Sequence, residues 1–372
     1  MPHDLAVHSS AAAGVSAGAA AVPRVDFLGL DCDELGAHMT SWGQPAYRGR
    51  QVFRWLYQGR ADGFGAMTNL PKSLRAELAT RAEIVMPRLV TRAASQRDST
   101  VKYLFQFADG ERAETVLMHD GDRATLCVSS QVGCNQGCTF CATAQMGLAR
   151  NLTSGEMVGQ LLEVEREIGA GRVSNIVFMG MGEPLANYKH LLRALDVLTS
   201  PDGVGAPARR ITVSTSGLVP AIDRYARDGV KTGLALSLNA TTDDVRDRLI
   251  PSNARYKIRG VLDACHAWAE ATGGRLTVEY VLLRGVNDSL EDGRRLARLL
   301  DPIPCKVNLI PFNPIPGATF ARPEAARVAA FQKVLYDARC VATVRKTKGS
   351  DVAAACGQLQ ADYSSADRAA SP

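Results

Sequence analysis

Three cysteines in one short segment are the residues of this sequence best able to do chemistry. The stretch "GCNQGCTFCATAQMG", residues 133–147, places Cys134, Cys138 and Cys141 in a C-x3-C-x2-C pattern. Zinc sites usually pair two Cys-x2-Cys units or add histidines, so this spacing favours three thiolates on an iron–sulfur cluster with one iron left open. A zinc site that borrows a remote fourth ligand is the alternative. Three glycines would let the backbone wrap around either site, namely Gly133, Gly137 and Gly147.

Composition limits the class of protein. The 372 residues suffice for one large domain and a smaller one. Nine cysteines form an odd, clustered set, and the Ala/Gly-rich start lacks the basic and apolar regions of a signal peptide, so we expect reduced thiols in a cytoplasmic protein. No apolar run has the length of a membrane span. The net charge of +5 is compatible with a nucleic-acid partner without establishing one.

The elements that must position the cysteines alternate between strands and helices from Arg123 onward. Six apolar segments predict strands, at 124–129, 175–180, 210–215, 233–238, 276–283 and 306–311. Between the first two, Thr153 and Glu156 have capping-box spacing at the start of a helix. This alternation predicts an α/β fold with a parallel sheet, arranged as a partial (β/α)6 barrel. The cysteine loop then follows the first strand, at the carboxyl edge where ligands bind. Whether "VATVR", 341–345, joins the sheet stays open.

The same pattern divides the chain into four parts. We predict a disordered tail at 1–23, a small, mainly helical accessory domain at 24–110, a core domain at 111–352 and a C-terminal segment with a frayed tail at 353–372. In the accessory domain, "YRGRQVFRWLYQGR" at 47–60 interleaves arginines with aromatics. Arginines beside stacking rings suit RNA, and a scaffold helix with buried aromatics and solvated arginines fits equally well.

With Phe140 before its last cysteine, the C-x3-C-x2-C motif resembles the hallmark of the radical S-adenosylmethionine (SAM) superfamily. The resemblance implies a [4Fe-4S] cluster held by the three cysteines, with SAM chelating the open iron. "FMGMGEPLAN", 178–187, resembles the glycine-rich turn of that superfamily, which implies that Gly182 and Glu183 hold the SAM amino group. Taken one at a time, the residues at the other predicted strand ends are explained by a role in forming turns or helix caps. The resemblance implies SAM contacts there, at Ser214, Ser237, Leu238, Asn239 and Asn313.

Two further cysteines narrow the resemblance. "RATLCVSSQVGC", which contains Cys127, and "VRKTKGSDVAAACGQL", which contains Cys356, are similar to segments of the RNA adenine-C2 methyltransferases. These dual-specificity radical SAM enzymes act on adenine 2503 of 23S rRNA and adenine 37 of tRNA. The resemblance runs from about residue 47 to residue 359. The accessory domain at 24–110 is expected to bind RNA through the arginines and aromatics of 47–60.

The resemblance also implies a mechanism that uses two SAM molecules per turnover. Cys356 takes a methyl group from the first, and a 5'-deoxyadenosyl radical from the second converts that methyl into a radical that adds to adenine C2. Cys127 then releases the product by forming a transient disulfide with Cys356. Glu114 matches the proton acceptor, and Cys356 should lie where its thiolate is favoured. A monomer reduced by a flavodoxin or ferredoxin is expected.

Three other functions stay open at this point. One is a radical SAM enzyme with another substrate, for which Cys127 and Cys356 would be dispensable. An adenine-C8 methyltransferase of the related resistance branch would use the same cluster and cysteine pair. A zinc-stabilised RNA-binding module without catalysis would use the cysteine loop only for structure.

Overall fold

A computed structural model describes residues 24–361. The predicted tail at 1–23 and the last part of the predicted C-terminal segment, 362–372, lie outside the described residues. The helices are α1 (Cys32–Ser41), α2 (Tyr47–Tyr57), α3 (Lys72–Arg81), α4 (Ala142–Gln145), α5 (Ser154–Ile168), α6 (Tyr188–Thr199), α7 (Val219–Arg227), α8 (Asp243–Leu249), α9 (Ile258–Thr272), α10 (Leu290–Leu300) and α11 (Ala325–Asp337). The strands are β1 (Val25–Asp26), β2 (Ala82–Glu83), β3 (Arg88–Ala94), β4 (Thr100–Gln106), β5 (Arg112–Asp120), β6 (Arg123–Cys127), β7 (Gln131–Gly133), β8 (Leu148–Asn151), β9 (Asn175–Phe178), β10 (Ile211–Thr215), β11 (Gly233–Ser237), β12 (Leu276–Leu282), β13 (Cys305–Pro311) and β14 (Ala342–Val344).

One mixed sheet carries the architecture. Its ten strands run in the order β14-β13-β12-β11-β10-β9-β6-β5-β4-β3. From β6 to β14 every neighbouring pair is parallel, as expected for strands joined through helices, whereas β3 to β6 pair antiparallel. All six predicted strands are present, and the doubtful segment at 341–345 contributes β14. The α/β fold with a partial parallel barrel is confirmed.

The helix that follows the cysteine loop begins where the sequence predicts. The Thr153 Oγ1 accepts a hydrogen bond from the Glu156 amide at 3.1 Å, and the Glu156 carboxylate accepts one from the Thr153 amide at 2.8 Å. This capping box satisfies two amides that the first turn of α5 leaves without helical partners. The start of α5 is thereby fixed beside β8, which closes the cysteine loop.

Two strands of the predicted accessory domain, β3 and β4, belong to the antiparallel part of the main sheet. The predicted boundary at residue 110 lies in the turn between β4 and β5, which pair over seven residues from Thr100↔Met118 to Gln106↔Arg112. Helices α1–α3 with β1 and β2 form the N-terminal unit proper, and β3 and β4 extend the main sheet. Strand β3 was missed because its side chains are mostly exposed on both faces, which erases the alternation that marks a strand.

Helix α2 favours the scaffold interpretation of its arginines and aromatics. Phe53 and Tyr57 are buried, and the Tyr57 hydroxyl accepts a hydrogen bond from a backbone amide. Arg50 and Arg54 both form ion pairs with Asp202, which follows α6. The two rings therefore belong to the core, and these two guanidinium groups tie α2 to the rest of the molecule.

No helix in the part of the chain from residue 24 to residue 361 has the length and apolar character required to cross a membrane.

Candidate active site

The cysteine loop is closed at its base by a short hairpin. Strands β7 and β8 pair antiparallel, and the Cys134 amide donates to the Gly147 carbonyl at 2.8 Å. Gly133 has a φ of +75°, and a Cβ there would lie 1.8 Å from that same carbonyl oxygen. Only glycine fits this position, because any side chain would push the two ends of the loop apart. The loop between them carries the three thiols.

Those three thiols line one cavity of about 160 Å³ at the carboxyl edge of the parallel strands. Burial raises the pKa of Cys134 to about 12 and that of Cys138 well above its ordinary value. As thiolates they need a positive partner, which iron supplies. Within residues 24–361, no three His, Cys, Asp or Glu side chains are grouped to hold a metal ion directly. A cubane cluster, which takes each thiolate on a separate iron, fits this donor set better than a single zinc ion does.

The glycine turn after β9 faces the same cavity. Gly182 has a φ of +100°, and a Cβ there would lie 2.5 Å from the Gln131 side chain. The Gln131 Oε1 accepts the Glu183 amide at 2.8 Å, so β7 and this turn are joined directly. The Glu183 carboxylate accepts the amides of Ser216 and Leu185 at 2.8 and 3.2 Å. Burial raises the pKa of Glu183, and these hydrogen bonds oppose that rise.

Four of the five predicted strand-end contacts also line this cavity, namely Ser214, Ser237, Asn239 and Asn313. Leu238 is fully buried and is not among the lining residues; its amide donates to the Glu279 carbonyl at 3.1 Å. Asn239 has a φ of +57° and accepts the Val281 amide at 2.8 Å, so its side chain fixes a strand-end turn. Asn313 donates to the Cys356 carbonyl at 3.2 Å. The cavity wall is thereby linked to the C-terminal segment.

A second cavity, of about 530 Å³, adjoins the first. Cys127 and Cys356 both line it, and Cys141 and Cys356 line both cavities. The structure therefore brings together two cysteines that lie 229 positions apart in the sequence with the loop that carries the cluster ligands. Arg345 also lines both cavities, and its positive charge acts on both thiols.

Two opposing effects act on the Cys356 thiol, whose thiolate character stays a prediction. Desolvation by the surrounding protein raises the pKa of the Cys356 thiol, and Arg345 only partly opposes this. Burial raises the pKa of Cys127 to about 12. Removal of water from a sulfur disfavours its charged form, and the positive charge of Arg345 favours it.

Glu114 lies apart from the cavity lining. Its side chain is buried, forms an ion pair with Lys102 at 2.8 Å and accepts the Gln360 amide at 2.8 Å. It is two residues from Val116 on β5, which lines the larger cavity, and so shares its face of the sheet. In this arrangement Glu114 anchors the C-terminal segment.

Sequence reasoning missed three charged residues around the site. Arg345 lies in the segment "VRKTKGSDVAAACGQL", where no local motif marks it. Glu279 is buried on β12, lines the smaller cavity, accepts from Asn308 through Oε1 and has no hydrogen-bond partner for Oε2 within the described residues. Arg246 is fully buried beneath the strand ends. Alternation along β12 places Glu279 on the same face as Val281, a signal that was present in the sequence.

A parallel barrel with three thiols at its carboxyl edge, beside a glycine turn, defines a radical SAM protein. The family model of the Radical SAM superfamily matches residues 128–297, and that of the "Ribosomal RNA large subunit methyltransferase N-terminal domain" matches residues 25–84. The "Dual-specificity RNA methyltransferase RlmN" of Geotalea uraniireducens is 49% identical over 337 residues, covering 91% of this chain and 97% of the relative. The chain belongs to the RlmN family of dual-specificity RNA methyltransferases.

Further comparisons agree. The protein of the same description from Geobacter sulfurreducens is 47% identical, covering 90% of this chain and 92% of the relative. The crystal structure of a radical SAM methyltransferase from Sphaerobacter thermophilus matches with a TM-score of 0.86 and 48% identity, covering 91% of this chain and all of that one. Membership of the radical SAM superfamily implies a [4Fe-4S] cluster and SAM. The three thiols and the Gly182–Glu183 turn are the residues that fit them.

Proposed function

We propose that this chain methylates C2 of an adenine in 23S rRNA and in tRNA, through an S-methyl group on Cys356 and a transient disulfide with Cys127. The observation that carries the proposal is that both thiols line one cavity, with Cys356 also lining the cavity of the cluster cysteines. The relatives are named dual-specificity RNA methyltransferases, which supports RNA as the substrate class.

Cys356 lies at the junction of the two cavities, because it lines both of them. When bound, the cluster and SAM supply the methyl group and a 5'-deoxyadenosyl radical, at a cost of two SAM molecules per turnover. Cys356 lines the smaller cavity, where SAM would bind, and the larger one, which has room for a nucleoside. The same sulfur can therefore accept a methyl group on one side and present it to a base on the other.

Cys127 supplies the step that frees the product. After the S-methylene carbon bonds to adenine C2, the enzyme and the RNA are joined through the Cys356 sulfur. The Cys127 thiol loses its proton and attacks that sulfur, the sulfur–carbon bond breaks and its electron pair stays on the new methyl group, which takes up a proton. The two cysteines are thereby oxidised to a disulfide, which a cellular thiol reduces before the next turnover.

Addition of the methylene radical leaves one unpaired electron on the ring, so before release the C2 hydrogen must leave as a proton while that electron returns to the electron carrier. In the proposal Glu114 accepts the proton. What supports this role is the burial of its carboxylate and its place on the same face of β5 as Val116. Its ion pair with Lys102 and its hydrogen bond to the Gln360 amide would have to loosen when RNA binds.

The oligomeric state and the electron donor complete the proposal. We propose that the protein acts as a monomer, because one chain contains all the site residues named above. The electron donor that we propose is a flavodoxin or a ferredoxin.

Mass spectrometry of RNA nucleosides tests the proposal. The reconstituted protein is incubated without oxygen with a reductant, SAM and unmodified 23S rRNA or tRNA. We expect 2-methyladenosine from both RNAs, none with Cys356→Ala and normal amounts with the control Cys32→Ser, because Cys32 is a half-buried residue of α1. Appearance of 8-methyladenosine would reassign the reaction to the C8 branch, and full activity of Cys356→Ala would refute the proposed route.

A further inference from the structure

Cys305 and Cys340 lie where the last two parallel strands of the sheet begin, Cys305 as the first residue of β13 and Cys340 just before β14. Cys305 is the first residue of β13, and Cys340 lies two residues before Ala342, the register partner of Val307. Extending the parallel register by two residues places the two cysteines opposite each other. Neighbouring strands lie about 4.8 Å apart. That spacing falls within the Cα separation of about 4.4–6.8 Å that a disulfide requires.

The two thiols contact each other and are partly exposed to solvent. The Cys305 and Cys340 side chains interact, and this interaction lowers the pKa of Cys340 and raises that of Cys305. The Arg275 guanidinium donates to the Cys305 carbonyl at 2.8 Å, and its positive charge favours the thiolate of Cys340. One nucleophilic sulfur therefore lies beside a second thiol, at a place that a small oxidant can reach.

We propose that Cys305 and Cys340 are a redox-modification site that closes to a disulfide when a low-molecular-weight disulfide oxidises it. The Cys340 thiolate attacks one sulfur of the oxidant and releases one thiolate, which leaves a mixed disulfide. Cys305 loses its proton and attacks the Cys340 sulfur, and the second thiolate leaves. Two cysteines are oxidised by two electrons, and the oxidant is reduced to two thiols. This inference does not depend on the proposed function.

The position of the pair gives the bond a structural effect. Strand β14 has three residues and is held to β13 by backbone hydrogen bonds from Val307 to Val341 and from Arg345 to Leu309. Immediately after β14 comes Arg345, which lines both cavities. A disulfide at the start of β14 would fix the register of this edge strand and of the segment that leads to Cys356.

The test is peptide mapping of the full-length protein after oxidation. The protein carries Cys356→Ala, which removes the partner of Cys127. After reduction it is incubated with oxidised glutathione, quenched with acid, alkylated and digested. We expect one cross-linked peptide pair that joins Cys305 and Cys340, lighter by about 2 Da than the two thiol peptides together and reversible by dithiothreitol. Cys340→Ser should abolish it. Cys32→Ser, which changes a cysteine outside the pair, should leave it intact.

Two results would overturn the inference. One is alkylation of both thiols, and the other is a stable glutathione adduct on Cys340 while Cys305 stays free. Hydrogen exchange tests the structural effect separately: the amides of 342–345 should exchange several-fold more slowly after closure, and unchanged exchange would refute the fixing of β14.

Discussion

Replacement of the buried Arg246 should loosen the strand ends that form the cofactor cavity. Its guanidinium is fully buried and donates to the carbonyls of Leu238, Ser216 and Ser237 at 3.0, 2.5 and 3.3 Å, and to the Asn253 side chain at 3.0 Å. Burial lowers its pKa from 12.5 to about 10 although nearby negative groups oppose the shift, a net cost of roughly 3 kcal/mol for the charged form. Four hydrogen bonds hold the charged group there, and each contributes a net stabilisation of about 1.5–3 kcal/mol.

We therefore expect Arg246→Met to lower the free energy of unfolding by about 3–5 kcal/mol, because it leaves buried carbonyls without a donor. Urea unfolding followed by tryptophan fluorescence measures this, since the buried Trp268 lies in α9. The control is Arg259→Met in α9, where the arginine side chain is 85% exposed and pairs with Asp263. That change should stay within about 0.5 kcal/mol of the wild type.

A functional effect should accompany the loss of stability. Ser237 lines the cavity, and its carbonyl is among those that Arg246 holds, so SAM should bind Arg246→Met more weakly at temperatures where that variant is still folded. An Arg246→Met protein within about 1 kcal/mol of the wild type would refute the reasoning, because it would show that the carbonyls find other donors at little cost.

Three further predictions concern stability against pH, product release and the glycine turn. Burial raises the pKa of Asp26 from 3.8 to about 6, so the folded state holds a proton that the unfolded state releases, and stability falls as pH rises from about 4 to 6. Asp26→Asn should therefore gain about 1–3 kcal/mol over the wild type at pH 7 and nothing at pH 4 in urea unfolding; an equal difference at both pH values would contradict this. Cys127→Ala should still methylate Cys356 but stall as a protein–RNA adduct visible on a denaturing gel, whereas quantitative turnover would remove Cys127 from the scheme. Gly182→Ala should abolish SAM binding in equilibrium dialysis, because its Cβ would lie 2.5 Å from a side-chain carbon, while Gly63→Ala, in open space, should bind SAM normally.

Much of the fold was predictable because the parallel strands are short and strongly apolar. Ile211 and Val213 on β10 are fully buried, as are Leu276 and Val278 on β12, and such runs mark strands between amphipathic helices. Strand β3 is not predicted from the sequence, because an edge strand with exposed charged residues has no such apolar run.

The site was predictable where spacing within one segment sets the chemistry, as in the cysteine loop. The ion pair between Lys102 and Glu114 depends on two strands meeting in register, and the contact between Cys305 and Cys340 depends on β14 joining the sheet. Neither can be read from a local motif, because a pairing register is a property of the assembled sheet.

The attachments of the C-terminal segment have a consequence for the reach of Cys356. Before this residue, the Gly349 amide donates to Asp98 at 2.9 Å; after it, the Gly357 and Leu359 carbonyls accept bonds from helix α4. Between these anchors the chain has only a single short 3-10 turn, Ser350–Val352. In the proposed cycle the Cys356 sulfur must meet a methyl donor, a base and a second thiol in succession. The Cys356 carbonyl and the next residue, Gly357, are themselves held by hydrogen bonds. Rotation about the side-chain bond of Cys356, with the backbone in place, is therefore the motion that would turn its sulfur between the two cavities it lines.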